Sequence, residues 1–246
     1  MAKFTAIDEA SVPPAAAHPA GHRAAGLRRA RLLSPADFRL WLAVLELDDG
    51  GDLRSGTGGE ALYVFEGEMA VDGRACPAGG AVVIEPGVDA RLEARGAVRA
   101  VHFGSRDGGS AQPGHGVHVV GPRGSWTSGR LEGVEAVWFT DSTCPTCRIA
   151  FFLVSAAGAH RGPAHSHTQD EIIYLIDGSL RTGARAYGPG TALSIRGGTR
   201  YALDGPPGGH RFLNFRTDLS YQTNAGQPPL LETAAARDGT YVGDVR

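Results

Sequence analysis

The chain repeats itself. Glu60-Ala-Leu-Tyr63-Val-Phe-Glu-Gly67 aligns with Glu171-Ile-Ile-Tyr174-Leu-Ile-Asp-Gly178 at an offset of 111 residues. The same offset carries Gly79 onto Gly190, Ile84 onto Ile195, Gly87 onto Gly198, and Trp41-Leu42-Ala43 onto Phe152-Leu153-Val154. One inserted residue then brings Arg99 and Phe103 onto Arg211 and Phe215. Spacing held over about 60 positions marks a duplication, so the chain is expected to contain two copies of one small unit.

Composition says what kind of unit. The 36 glycines and 15 prolines, about a fifth of 246 residues, disfavour long helices, because each costs roughly 1 and 3 kcal/mol in a helix interior. An apolar share of 42% still supports a core. Short apolar runs bounded by turn signals read as strands of an all-β sandwich or barrel. In the second copy these are residues 149–155, 171–176, 191–195, 200–203 and 210–216, and residues 117–120 form another between the copies. With 24 Lys and Arg against 26 Asp and Glu, and neither sign in a long block, no nucleic-acid footprint is expected. No apolar run approaches the roughly 18 residues of a membrane span. The Arg28-Arg29 pair is not followed by an unbroken apolar stretch, so a cytoplasmic chain is expected.

Chemistry concentrates in the second copy, in His165-Ser-His167-Thr-Gln-Asp-Glu171. Histidines two apart on an extended segment point the same way. A carboxylate four positions on can close a third vertex. Two imidazoles and a carboxylate form the facial set that suits Fe(II), with Mn, Ni or Zn chemically possible. Alternation from Glu171 sends Ile173 and Leu175 inward with it, and Tyr201 sends Leu203 inward, so the ion is expected in a mostly apolar pocket suited to a small organic substrate.

These residues resemble the cupin superfamily, and the duplication makes the chain look like a bicupin. The first cupin motif, a His-x-His followed by Glu and, six residues later, Gly, is met by His165, His167, Glu171 and Gly178. The second is met in outline by Gly188-Pro189-Gly190 and the segment from Ile195 to Tyr201, with Tyr201 standing where the family usually supplies a histidine. The resemblance implies two tandem jelly-roll (double-stranded β-helix) barrels. They would span residues 33–110 and 145–216, with an arm over 1–32, a connection over 111–144 and a tail over 217–246 on one barrel or on a neighbouring chain, as in a homodimer. It implies one divalent metal on His165, His167 and Glu171, Fe(II) first. Tyr201 would ligate it, orient substrate or merely fill space, and His210 is the favoured further catalytic residue.

The first copy carries Arg54, Gly56 and Ala90 at the positions of His165, His167 and Tyr201, with only Glu60 kept. It reads as a degenerate barrel in which Arg54 is a rim residue, an anion anchor or an ionic partner of Glu60. His102 and His160 are expected to be structural, and His18, His22, His115 and His118 fall in arm or connection and carry no inference. Cys144-Pro-Thr-Cys147 has redox spacing but lacks the βαβ context of a thioredoxin-like motif. No Gly-rich stretch opens a helix, so no phosphate-binding loop or organic cofactor site is expected. The leading expectation is a non-haem Fe(II) dioxygenase acting on a small molecule. An oxygen-independent lyase, isomerase or decarboxylase and a non-catalytic sensor are the alternatives.

Overall fold

A computed structural model describes residues 2–107, 116–131, 133–140 and 143–245. Apart from two short 3-10 turns, the regular structure of these residues is all β. The N-terminal half holds β2 (Ala24–Leu32), β3 (Leu40–Arg54), β4 (Glu60–Val71), β5 (Arg74–Pro77), β6 (Ala81–Ile84), β7 (Arg91–Ser105) and β8 (Val117–Val120), after β1 (Phe4–Asp8) in the arm. The C-terminal half continues with β9 (Trp126–Leu131), β10 (Val134–Trp138), β11 (Ala150–Ala156), β12 (His160–Arg161), β13 (His165–His167), β14 (Glu171–Gly178), β15 (Leu180–Thr182) and β16 (Arg185–Tyr187). It closes with β17 (Thr191–Ile195), β18 (Asp204–Gly205), β19 (His210–Arg216), β20 (Tyr221–Asn224), β21 (Leu230–Leu231) and β22 (Thr240–Tyr241).

The duplication is visible in the pairing. One sheet runs β2-β3-β7-β4-β6-β8, and the other runs β1-β17-β14-β19-β11-β10-β9-β22. The order β2-β3-β7-β4-β6 in the first therefore recurs as β10-β11-β19-β14-β17 in the second. Strands β2 and β10 occupy equivalent places, although the sequence assigns their residues to arm and connection. Gly67 and Gly178, Gly79 and Gly190, and Gly87 and Gly198 all adopt positive φ, between 72° and 83°. They are matched turn positions at which a Cβ is strained.

Strand alternation sorts the side chains of the central strands. In β4, Leu62 and Val64 enter the core of the N-terminal half beside Trp41, Leu45 and Ala100. In β14, Ile173 and Leu175 enter a separate core with Phe152, Tyr201 and Leu203. The alternate residues Ala61, Tyr63, Ile172 and Tyr174 lie in a third apolar layer with Phe103, Phe151 and Phe215, which joins the halves. Both faces of these strands are thus covered, which is why their sequences read as near-continuous apolar runs.

The arm bridges the molecule. Strand β1 pairs antiparallel with β17 in the C-terminal half. Glu9, next along, accepts a 2.7 Å hydrogen bond from the Tyr174 hydroxyl and lies 3.2 Å from Arg99 Nη2. The chain then reaches His18 and His22 at the N-terminal core. The tail pairs within its own chain, β20 with β13 and β22 with β9. Among the described residues, no helix is long and apolar enough to cross a membrane.

Candidate metal sites

Glu60 opens β4 on the inward face and is 1% exposed. Its carboxylate meets two imidazoles: His22 Nε2 lies 2.7 Å from Oε1, and His102 Nε2 lies 3.0 Å from Oε2. One donor atom from each of these three residues lies within 4.8 Å of the others. His102 is placed by β7, opposite Leu62 in the β4 ladder and Ala43 in the β3 ladder. His22 comes from the arm.

The arm can deliver that imidazole because Gly56 leaves room for it. A Cβ on Gly56 would stand 2.8 Å from Glu60 Oε1 and 3.0 Å from His22 Nε2. Gly56 matches His167 of the second copy in the repeat, so the N-terminal half lacks a histidine on the chain there and recovers one from upstream. The Gly56 N–H also donates to Glu60 Oε1 at 2.7 Å. Behind His102, His18 Nε2 lies 3.2 Å from its Nδ1 and fixes the ring. Trp41 packs edge-on against all three imidazoles, with centroids 4.8 to 5.4 Å away.

Burial alone would raise the Glu60 pKa, but hydrogen bonds from His102 and His22 outweigh it and hold the group at about 2. Burial, reinforced by the neighbouring His102 and His22, takes His18 down to about 2, and burial lowers His102 as well. A buried carboxylate thus sits close to two imidazoles, His18 and His102, that resist protonation. Among the described residues, no lysine or arginine pairs with it. Two imidazole nitrogens and a carboxylate around one point fit a divalent cation, which would supply the missing positive charge. Gly56→Val is expected to push His22 aside and weaken metal affinity about 10–100-fold while the fold persists. Competition titration with a chelator, beside circular dichroism, measures this, and unchanged affinity would show that His22 is no ligand.

The C-terminal half has a different arrangement at the equivalent place. Glu171 opens β14 and is likewise 1% exposed, but here one of the groups bonded to the carboxylate is a guanidinium. Arg216 Nη2 bonds to Oε2 at 2.6 Å, Asn214 Nδ2 to the same oxygen at 2.9 Å, and the Tyr201 hydroxyl donates to Oε1. Arg216 Nη1 also lies 2.7 Å from Glu232 Oε2, and His167 Nδ1 lies 2.8 Å from the same atom. Burial would raise Glu171, yet His167 and Arg216 hold it at about 2. Burial and the adjacent Glu171 push Tyr201 well up.

The expected metal residues His165, His167 and Glu171 therefore converge only in part. His167 Nε2 lies 3.9 Å from Glu171 Oε1, and the His165 ring stands 4.9 Å from that of His167 with its Nδ1 2.8 Å from the Pro163 carbonyl, a contact that a ligating histidine also makes. Among the described residues, the groups of three metal-donor atoms within 4.8 Å are His22-Glu60-His102 and Glu85-His118-Cys144. The guanidinium of Arg216 supplies the cation beside Glu171. In the first copy the position of Arg216 is Gly104, where a Cβ would stand 2.3 Å from Trp41. The arginine of one half is thus replaced by an indole in the other. Arg54 sits at the rim with Nη1 3.6 Å from Asp89, away from Glu60.

His210 does not join the acidic group. It lies four residues before Asn214 on β19, roughly 13 Å along the strand. Its ring stands against His160 with centroids 4.8 Å apart, and burial, reinforced by His160, lowers its pKa to about 4. An unfolded histidine titrates near 6.5. Between that pH and about 4 the unfolded chain holds a proton that folded His210 refuses, so this group favours the folded state fully above pH 6.5 and loses that effect as pH falls towards 4. His210→Phe is expected to flatten this part of the acid limb in denaturant titrations between pH 4 and 7, and an unaltered limb would contradict the assignment.

Sequence reasoning missed His18, His22 and Glu232. The available signal for the first two was the His-x-x-x-His spacing in the arm, together with a glycine at the place of a lost ligand. Glu232 carried none.

No protein-family profile and no curated protein matches the chain in sequence. Solved structures match its fold. One is a glyoxylate-induced protein of Pseudomonas aeruginosa, with a TM-score of 0.69, 16% identity, and 93% of this chain and 92% of that one covered. Another is the oxalate decarboxylase of Bacillus subtilis, whose Mn(II) centres have been characterised, with a TM-score of 0.65, 14% identity, and 89% and 79% covered. These neighbours are cupin proteins, and the chain shares their fold.

Proposed function

We propose that the chain is a metal-dependent bicupin enzyme, with two tandem barrels and its divalent ion in the N-terminal one. The observation that carries this reading is the His22-Glu60-His102 set, a buried carboxylate with two imidazole donors and no lysine or arginine partner among the described residues. Mn(II) is the favoured ion, because the carboxylate suits it and a fold neighbour has Mn(II) centres. When bound, the ion would supply Lewis acidity and a charge to hold an anionic substrate group.

The chain's own residues define the rest. His18 is a positioning residue that holds the His102 ring. Trp41, Leu62, Ile84 and Val119 form an apolar surround in which charge interactions are weakly screened. We favour an oxygen-independent decarboxylase- or lyase-type reaction on a small organic acid over the Fe(II) dioxygenase expected from sequence, since the fold neighbours include oxalate decarboxylase. A second reading keeps the ion on His165, His167 and Glu171 with Tyr201 as orienting group. The nearness of His167 to Glu171 supports it, and the Arg216 guanidinium opposes it.

The test has two readouts. Analysis of protein reconstituted with Mn(II) is expected to find one equivalent of manganese in the wild type and in His165→Ala, and almost none in His22→Ala or Glu60→Gln. The reverse pattern would move the ion to the other half. Mn-loaded protein offered small mono- and dicarboxylic acids should release carbon dioxide without consuming oxygen, whereas stoichiometric oxygen uptake would restore the dioxygenase reading.

A further inference from the structure

We propose that Glu85, His118 and Cys144 form a second metal site, of the zinc class, that ties the N-terminal half to the segment leading into β11. It shares no residue with the His22-Glu60-His102 set. His118 Nε2 lies 2.9 Å from Glu85 Oε1, and Cys144 Sγ lies 3.5 Å from the same oxygen. One donor atom of each residue falls within 4.8 Å of the others. Zinc bonds of about 2.0 Å to nitrogen or oxygen and 2.3 Å to sulfur place tetrahedral ligands roughly 3.5 Å apart, so small side-chain movements would admit the ion.

The three donors come from separate places in the chain. Glu85 directly follows β6 and is 1% exposed. His118 is on β8, whose only described neighbour in the sheet is β6, with His118 opposite Val83. Cys144 belongs to the Cys-x-x-Cys segment that leads into β11, and Cys147 packs against the apolar layer between the halves. An ion here would hold the connecting strand and the start of the second copy's central strands against the first copy.

Donor chemistry selects the metal. Thiolate with imidazole and carboxylate is a set that zinc accepts and that calcium and magnesium do not favour. On binding, the Sγ–H bond of Cys144 breaks, its proton passes to solvent, and a zinc–sulfur bond forms with no change of oxidation state. Three protein donors leave one tetrahedral position for water. This gives Cys144 of the Cys-x-x-Cys segment a role that needs no redox partner.

Cobalt(II) added to chelator-stripped full-length protein tests the proposal, because only a thiolate ligand gives the sulfur-to-cobalt charge-transfer band in the near ultraviolet. The band is expected in the wild type and in Glu60→Gln, and it should vanish in Cys144→Ser and weaken strongly in His118→Ala. Absence of the band from the wild type, or its survival in Cys144→Ser, would overturn the site. A measurement free of variants uses zinc alone: it should slow alkylation of Cys144 in the native protein, read by mass spectrometry, and equal rates with and without zinc would also overturn it. Failure of the wild type to retain manganese, or its full retention by Glu60→Gln, with an intact cobalt band would refute the N-terminal reading only.

Discussion

Replacing Arg216 with methionine is expected to lower the free energy of unfolding by about 3–5 kcal/mol, the cost of breaking a buried ion pair from one side. Arg216 is 1% exposed and lies between Glu171 and Glu232, at 2.6 and 2.7 Å. Without it, two buried carboxylates face each other across the His167 imidazole. Burial opposes the guanidinium charge, but Glu232 and Glu171 more than offset that and raise the arginine pKa further. Adding Glu171→Gln and Glu232→Gln to Arg216→Met should recover most of the loss, because the uncompensated charge is then gone. Urea denaturation measures all of these variants. A loss below about 1 kcal/mol for Arg216→Met alone would mean that the network is solvated and that Arg216 is not the internal cation of this half.

The second large effect concerns Glu60. An ion that binds only the folded state stabilises it by RT ln(1 + [L]/Kd), roughly 4 kcal/mol at a thousandfold excess over Kd. For a chain of this size that is a rise in Tm of about 10 °C. Saturating Mn(II) is expected to give a shift of this order in the wild type and almost none in Glu60→Gln. Glu171→Gln should keep the metal-dependent rise even though its baseline Tm falls. An equal rise in wild type and Glu60→Gln would place the ion elsewhere.

The repeat was legible because turns and strand faces are local. Paired glycines at fixed spacing demanded matching positive-φ turns, and alternation from Glu171 correctly sent Ile173 and Leu175 inward with Tyr201 and Leu203. Glu60 was equally legible as the ligand type that the first copy kept. What surrounds each glutamate was not, because it depends on which distant segment fills a gap. His22 lies more than thirty residues before Gly56 and reaches it only because the arm crosses from β17 to the first core. Arg216 was correctly placed at the end of a strand, yet its inward direction matters only beside a glutamate 45 residues away in sequence. Glu232 depends on the pairing of β20 with β13, which no local pattern announces.

The two halves thus answer the same problem, a buried glutamate, in different ways. One neutralises it with an arginine from the last strand. The other has a glycine and an indole at that place and gathers imidazoles from the arm and from β7. Crystals of the full-length protein grown with Mn(II), measured at the manganese absorption edge, test this most directly. One strong anomalous peak is expected, bonded to His22 Nε2, Glu60 and His102 Nε2, with none beside Glu171. A peak bonded to His165, His167 and Glu171, with the first site empty, would contradict it.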